Sequence, residues 1–267
     1  MRTITFIIFY HTFACLTIGK RKEFNKKIRG RNGRISPQFG MLIRIQQEDA
    51  NMGYKAVIFD LDGTILDTLS DLQTSVNFAL EKYGYPSRTR EEVRSFIGSG
   101  AKVLFERALP GEAEEKILDC VTVFKTHYRE NVNIYTCPYP GVMEMMAKLK
   151  AADIKIGVCS NKFDAAVRLL CGAHFEGMVD ACVGESERVP KKPSPVGCNM
   201  VLEEMNASAS QTLYVGDSDV DVETAVQAGL DGAFVTWGFR DREDLLCAGA
   251  EKLFDSADAL TEYILTK

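Results

Sequence analysis

The chain has little of what several function classes require. Its 267 positions contain no apolar run of about 18 residues or more, which excludes an ordinary transmembrane helix. The eight cysteines, at positions 15, 120, 137, 159, 171, 182, 198 and 247, include no CxxC pair. That spacing rules out a zinc ribbon or a thioredoxin-type site, and in a chain this long the cysteines read as reduced core thiols. The three histidines, His11, His127 and His174, follow no ligand spacing and read as structural or surface groups. Basic excess is also lacking, since the net charge is −5, which argues against a general nucleic-acid binder. What is present is 46% hydrophobic and 26% charged, enough to bury a sizeable core in one large domain or two modest ones.

The net charge hides an asymmetry. Residues 1–51 hold ten Lys/Arg and three acids, whereas the remaining 216 residues hold 22 basic and 34 acidic groups. A change this sharp near Met52 points to two pieces of different origin. The first piece starts with a mostly apolar stretch from Ile4 to Ile18 and continues into KRKEFNKKIRGRNGR. The stretch is short for a membrane anchor and is diluted by Thr and His; as a secretory signal it lacks a small-residue cleavage site. Gln47-Glu48-Asp49 can be encoded with AGGAGG, the bacterial ribosome-binding sequence, a few bases ahead of the Met52 codon. The expectation is therefore that translation starts at Met52 and that residues 1–51 are a non-native or disordered extension.

Beyond Met52 the pattern alternates. Tyr54–Phe59 is a short apolar, β-branched run that stops at Asp60-Leu61-Asp62-Gly63-Thr64, a buried strand ending in a turn. Leu66 to Tyr83 has apolar residues at helical spacing, and helical patterns continue through 90–97, 102–109 and 112–131 with no strand between them. After Pro138-Tyr-Pro-Gly141 come a helix (142–151), a strand (154–159), a helix (164–171), a strand (179–183), a helix (195–205), a strand (212–215), a helix (220–228) and a strand (233–236). Such alternation predicts an α/β fold, a doubly wound, Rossmann-like parallel sheet covered on both faces, with a helical insert after the first strand. The predicted division is 52–67 and 136–267 for the α/β core and 68–135 for the insert.

In an open α/β sheet, ligands bind beyond the carboxyl ends of the strands. Those ends carry Asp60 and Asp62, then Ser160-Asn161-Lys162, then a loop with Lys191-Lys192-Pro193, then Gly216-Asp217-Ser218-Asp219 with Asp221 just beyond. Carboxylates gathered on one edge repel unless a cation sits among them. Aspartate oxygens without His or Cys suit a hard ion, and Mg²⁺ is usual where phosphate is handled. A lysine and a hydroxyl beside that ion suit a phosphate dianion, and an aspartate can attack phosphorus.

Asp60-Leu-Asp-Gly-Thr-Ile-Leu-Asp67, Ser160, Lys192 and Gly216-Asp-Ser-Asp-Val-Asp221 resemble, in order and spacing, the four motifs of the haloacid dehalogenase-like hydrolases. The segments FIGSGAKVLFERAL, PYPGVMEMMAKLK and YVGDSDVD resemble the phosphoglycolate phosphatase branch, and the helical insert resembles the cap of that superfamily. The resemblance implies a cytoplasmic, Mg²⁺-dependent phosphoric monoester hydrolase acting on a small phosphorylated metabolite, with phosphoglycolate as the leading substrate. It implies no nucleic-acid or membrane partner, and a monomer or homodimer. It implies Asp60 as nucleophile and metal ligand, and Asp62 as general acid and base whose backbone carbonyl also binds the metal. Asp217 is implied as a further metal ligand, with Asp221 supporting the metal shell or Lys192. Ser160 and the amide of Asn161 would bind phosphoryl oxygens, and Lys192 would neutralise Asp60 and phosphate together.

Other readings of the same residues remain open at this level. A β-phosphoglucomutase-like mutase, a pyrophosphatase or a nucleotidase would share the scaffold, and a non-catalytic binding module would share the fold alone. An EF-hand is disfavoured because position twelve of the loop is Asp71 and a strand precedes it. Asp67 reads as a helix cap, Asp219 as a helix N-cap or a group standing behind the metal ligands, Lys191 as surface, and Cys159 as a core thiol. Trp237 and Phe239 read as site rim or core, and Gly98-Ser-Gly100 as a loop over the substrate or a plain turn.

Overall fold

The computed structural model describes residues 53–267; the expected extension at 1–51 lies outside the described residues. β1 (Ala56–Phe59) is buried along its whole length, as a strand covered on both faces must be. Its side chains alternate between two cores. Val57 and Phe59 join one apolar cluster, and Ala56 and Ile58 join the other.

β1 lies at the centre of a six-stranded sheet with β4 (Lys155–Phe163), β5 (Ala181–Glu185), β6 (Thr212–Gly216), β7 (Asp231–Val235) and β8 (Leu253–Phe254), in the order β5-β4-β1-β6-β7-β8. Every pairing in it is parallel; Ile58, for example, stands between Gly157 of β4 and Tyr214 of β6. Parallel strands need crossovers, and the helices supply them on both faces. α5 (Val142–Ala151), α6 (Asp164–His174) and α10 (Ala257–Thr266) cover one face; α7 (Val196–Met205), α8 (Asp219–Ala228) and α9 (Arg242–Cys247) cover the other.

The expected insert is present as four helices, α1 (Leu69–Lys82), α2 (Arg90–Phe96), α3 (Ala101–Ala108) and α4 (Glu114–Asn131). α2 starts with a capping box in which Thr89 and Glu92 each accept the other's backbone N–H. The insert has an aromatic centre: Phe124 stacks on Tyr128 with ring centroids 5.4 Å apart and meets Phe105 edge-on at 5.7 Å.

The sequence reading differs from the structure in three places. Leu66–Asp67, expected as the start of a helix, is strand β2, which pairs antiparallel with β3 (Cys137–Pro138). This ribbon is the entry and exit of the insert. β4, expected to stop at Cys159, continues through Phe163 by a register shift, so Asn161 and Lys162 are part of an irregular strand end. No helix or strand was expected after Thr236, where α9, β8 and α10 complete the sheet edge and its cover.

Asp71 locks the ribbon to the insert. Its buried carboxylate accepts the backbone N–H groups of Ile134, Tyr135 and Thr136 and the Thr136 hydroxyl, at 2.7–3.1 Å. A carboxylate on four convergent donors fixes the returning strand against α1.

Candidate active site

The parallel sheet brings the carboxyl ends of β1, β4 and β6 to one edge. Asp60 directly follows β1, and its N–H bonds Val215 O at 2.8 Å, which carries it alongside the end of β6. Asp217 directly follows β6. One oxygen from each of Asp60, Asp217 and Asp221 falls within 4.8 Å of the others, and all three residues are buried. Lys192 enters from the loop before α7, with Nζ 2.8 Å from Asp60 Oδ1 and 2.7 Å from Asp221 Oδ1. Ser160, 6% exposed, and Asn161 stand at the end of β4. The structure thus brings Asp60, Asp62, Ser160, Asn161, Lys192, Asp217 and Asp221 to one place.

The three clustered carboxylates are not equivalent. Asp221 has no free lone pairs to offer: Oδ1 accepts from Lys192 and the Tyr214 hydroxyl, and Oδ2 from the N–H groups of Asp217 and Ser218 and the Ser218 hydroxyl. It doubles as the acid of the capping box that starts α8. Gly216 makes room for it, because a Cβ there would lie 2.4 Å from the Asp221 carboxyl carbon. Burial pushes the Asp221 pKa up, but Lys192, Ser218 and Tyr214 outweigh it and hold the group below the usual carboxylate range.

Asp60 and Asp217 are different. Burial, relieved in part by Lys192, raises the Asp60 pKa from 3.8 to about 7. Burial and then the charges of Asp221 and Asp60 push Asp217 well above its ordinary value. Lys192 touches Asp60 Oδ1 closely enough for ion pairing, but off the angle of a directed hydrogen bond, and that oxygen accepts no other. Asp217 accepts the Thr64 hydroxyl at 3.1 Å and the Phe239 N–H at 2.6 Å. Two crowded carboxylates, one with an oxygen that lacks a directed donor, fit a hard divalent cation, which would lower both pKa values. Gly63, at φ +85°, lets the turn after Asp62 pass over Asp217, where a Cβ would come within 2.4 Å of Oδ2.

The Asp62 carboxylate stands outside this cluster. It is held by Lys162 Nζ at 2.7 and 2.9 Å, and the Lys162 ammonium lies 4.6 Å from the centre of the Tyr128 ring on α4. Sequence reasoning named Lys162 only as part of the strand end and gave it no role. The signal was its place two residues after Ser160, where an irregular strand turns it inward.

Several secondary expectations resolve. Asp67 accepts the Leu69 N–H from its place in β2, while the N-cap of α1 is Thr68. Of the two readings of Asp219 the cap is corrected: Ser218 is the N-cap of α8, and Asp219 pairs with Arg240. Lys191 is not simple surface, since it pairs with Glu185 and its side chain lies against Gly100. Cys159 is buried. His127 meets Ser75 and stacks on Phe78, and His174 meets Asn133, so both are structural. Trp237 donates to Thr64 O, and Phe239 lines the site. Gly98 and Gly100 line it too, with Gly98 O accepting from Asn161.

Two arginines join the insert to this edge. Arg94 of α2 donates to Gly238 O and Asp241, and Arg240 donates to Ile97 O. A cavity of about 80 Å³ is lined by Asp60, Asp62, Ser160 and Asp217 of the core and by Leu72, Leu104, Phe124 and Tyr128 of the insert. Among the described residues no helix is long and apolar enough to cross a membrane.

Comparison with known proteins agrees with this fold. The profile of the family described as haloacid dehalogenase-like hydrolase matches residues 57–235. A phosphoglycolate phosphatase of Colwellia psychrerythraea is 30% identical over 214 residues, covering 77% of this chain and 95% of that protein. One from Aquifex aeolicus is 32% identical over 186 residues, covering 69% and 86%. A crystal structure of a chain from Lactobacillus delbrueckii subsp. bulgaricus superposes with a TM-score of 0.77 at 34% identity, covering 81% of this chain and all of that one.

Proposed function

The chain belongs to the haloacid dehalogenase-like hydrolases, and on that footing we propose that it is a Mg²⁺-dependent phosphatase that hydrolyses a small phosphate monoester, phosphoglycolate first among them. One observation carries the reading: Asp60 and Asp217 share a buried edge with Lys192 Nζ 2.8 Å from Asp60 Oδ1. The phosphoglycolate phosphatases that resemble this chain at about a third identity support the choice of substrate. The small cavity favours a metabolite over a folded phosphoprotein. Residues 68–135 act as the cap, and 52–67 with 136–267 as the core.

Asp60, Asp217 and the backbone carbonyl of Asp62 would hold the cation. Bound there, Mg²⁺ supplies charge neutralisation that lets an anionic nucleophile meet a phosphate dianion. Lys192 serves the same end from the protein side, while Ser160 and the Asn161 amide hold phosphoryl oxygens. An Asp60 oxygen forms a bond to phosphorus as the ester P–O bond breaks, and the departing alkoxide takes the proton of Asp62. Asp62, now a carboxylate, takes a proton from water. The water oxygen bonds phosphorus, the Asp60–phosphorus bond breaks, and phosphate leaves with Asp60 restored. Asp62 lies apart from the clustered carboxylates, paired with Lys162, at the cavity the ester would enter.

A panel of phosphate esters assayed with Mg²⁺ tests this, alongside Asp60→Asn. The substitution keeps size but removes the attacking anion, so turnover falls at least ~1,000-fold. Wild-type rates in that variant would refute the nucleophile.

A further inference from the structure

The side chain of Asn161 is bonded to two segments far apart in sequence, the loop that carries Lys192 and the loop between α2 and α3 of the insert. Oδ1 accepts the Lys192 N–H at 2.6 Å, and Nδ2 donates to Lys192 O at 3.3 Å and to Gly98 O at 3.1 Å. The partners fix the orientation of the amide, since the reversed form would set its oxygen against two carbonyls. The oxygen and the NH₂ group are both committed.

The main chain of Lys192 depends on these bonds. Among the described residues its N–H and its carbonyl make no other hydrogen bond, and Pro193, next in the chain, has no N–H to give. The Lys192 ammonium is held separately, by Asp60, Asp221 and Tyr214. Those contacts grip one end of a flexible stem, and Asn161 grips the other.

The bond to Gly98 O is the one that leaves the core. Arg240 supports the same loop by donating to Ile97 O at 2.7 Å. A planar amide cannot move one arm alone. If Gly98 O shifts away, the freed Nδ2 group turns toward water to recover a bond, and the turn withdraws the amide from Lys192. We propose that the Asn161 side chain is a positioning residue that couples the seat of the insert, through Gly98 O, to the placement of Lys192. The effect on turnover rests on the phosphatase reading above. The task belongs to the side chain, while the main-chain amide keeps its phosphoryl oxygen.

The test follows the Lys192 N–H by amide hydrogen exchange, read residue by residue by NMR on the full chain without substrate, in wild type, Asn161→Ala and Gly98→Ala. Gly98 has φ +118°, where L side chains rarely sit, and a Cβ there would lie 3.2 Å from Arg240 Nη2, so Gly98→Ala displaces the loop from the insert side. Both substitutions raise Lys192 exchange about tenfold or more. The paired strand amides of Val57 and Leu213 keep wild-type rates and report an intact sheet. An unchanged Lys192 rate in Gly98→Ala overturns the coupling, whatever Asn161→Ala does.

With a hydrolysed ester, each substitution lowers kcat about 10- to 100-fold at similar KM, and the double variant falls little further because both act through one path. Additive losses carried by KM overturn the coupling and make both residues substrate contacts. A wild type that hydrolyses no ester overturns the phosphatase reading instead, and the exchange rates still decide the coupling.

Discussion

Two buried lysines stand at the mouth of the sheet, and their surroundings differ in one respect. Lys192 and Lys162 have side chains only 4% and 3% exposed, and each faces carboxylate and an aromatic ring. Everything around Lys192 comes from the core: Asp60 after β1, Tyr214 in β6 and Asp221 in α8. Lys162 takes its carboxylate from the core, Asp62, but its ring from the insert, Tyr128. The first lysine's side chain is held by the core alone; the second's is held by core and insert together. On the proposed roles, charge neutralisation by Lys192 would rest on contacts within the core, and proton transfer by Asp62 would take place where core and insert meet.

Removing Lys192 strikes the core side hardest. Lys192→Met leaves the Asp60 and Asp221 charges without their shared cation, so activity falls ~1,000-fold or more and stability by about 3–5 kcal/mol, read by assay and urea unfolding. Lys162→Met costs less, because Asp62 is 14% exposed and water can take up its charge. Turnover falls about 10- to 100-fold and stability by about 1–3 kcal/mol. Equal losses in the two variants would erase the distinction between the lysines.

Asp71→Asn sharpens it from the other side. The amide presents N–H where three backbone N–H groups and a hydroxyl converge, costing about 1–3 kcal/mol. Chymotrypsin cleavage at the exposed Tyr135 rises, while Mg²⁺ affinity, set by the core, stays the same.

The smallest effect is a pH trend. The folded-state pKa of Asp60 lies near 7, above its ordinary 3.8, so folded protein binds the extra proton between those values. Stability from this group is complete below about pH 4 and is lost as pH rises through about 7. Without divalent cation, the Asp60 contribution lowers the melting temperature across that window; with Mg²⁺ the decline flattens. In Asp60→Asn the cation-free trend weakens, and an unchanged slope would assign it elsewhere.

The strand-end aspartates were legible because a buried β-branched run that stops at a carboxylate leaves few alternatives. Asp60 and Asp217 follow such runs in AVIF and TLYVG. The helical insert was legible from apolar spacing over more than three turns. β2 and β3 were not, since two residues show no period and their pairing is made by partners 72 positions apart, Leu66 with Pro138. Lys162 was hidden because its burial depends on a register shift in β4 that no local pattern encodes. Tyr128 reads as one more apolar residue of an amphipathic helix; only the fold shows that its hydroxyl is left over.

The β2–β3 ribbon has an evolutionary corollary. Because the chain leaves the sheet and comes back through adjacent, hydrogen-bonded strands, the ends of the insert are already held together whatever lies between them. Lengthening, shrinking or replacing that cassette adds little closure entropy and leaves the register of the six main strands untouched. New substrate preferences can therefore be grafted at a single doorway while the phosphorus chemistry is inherited intact.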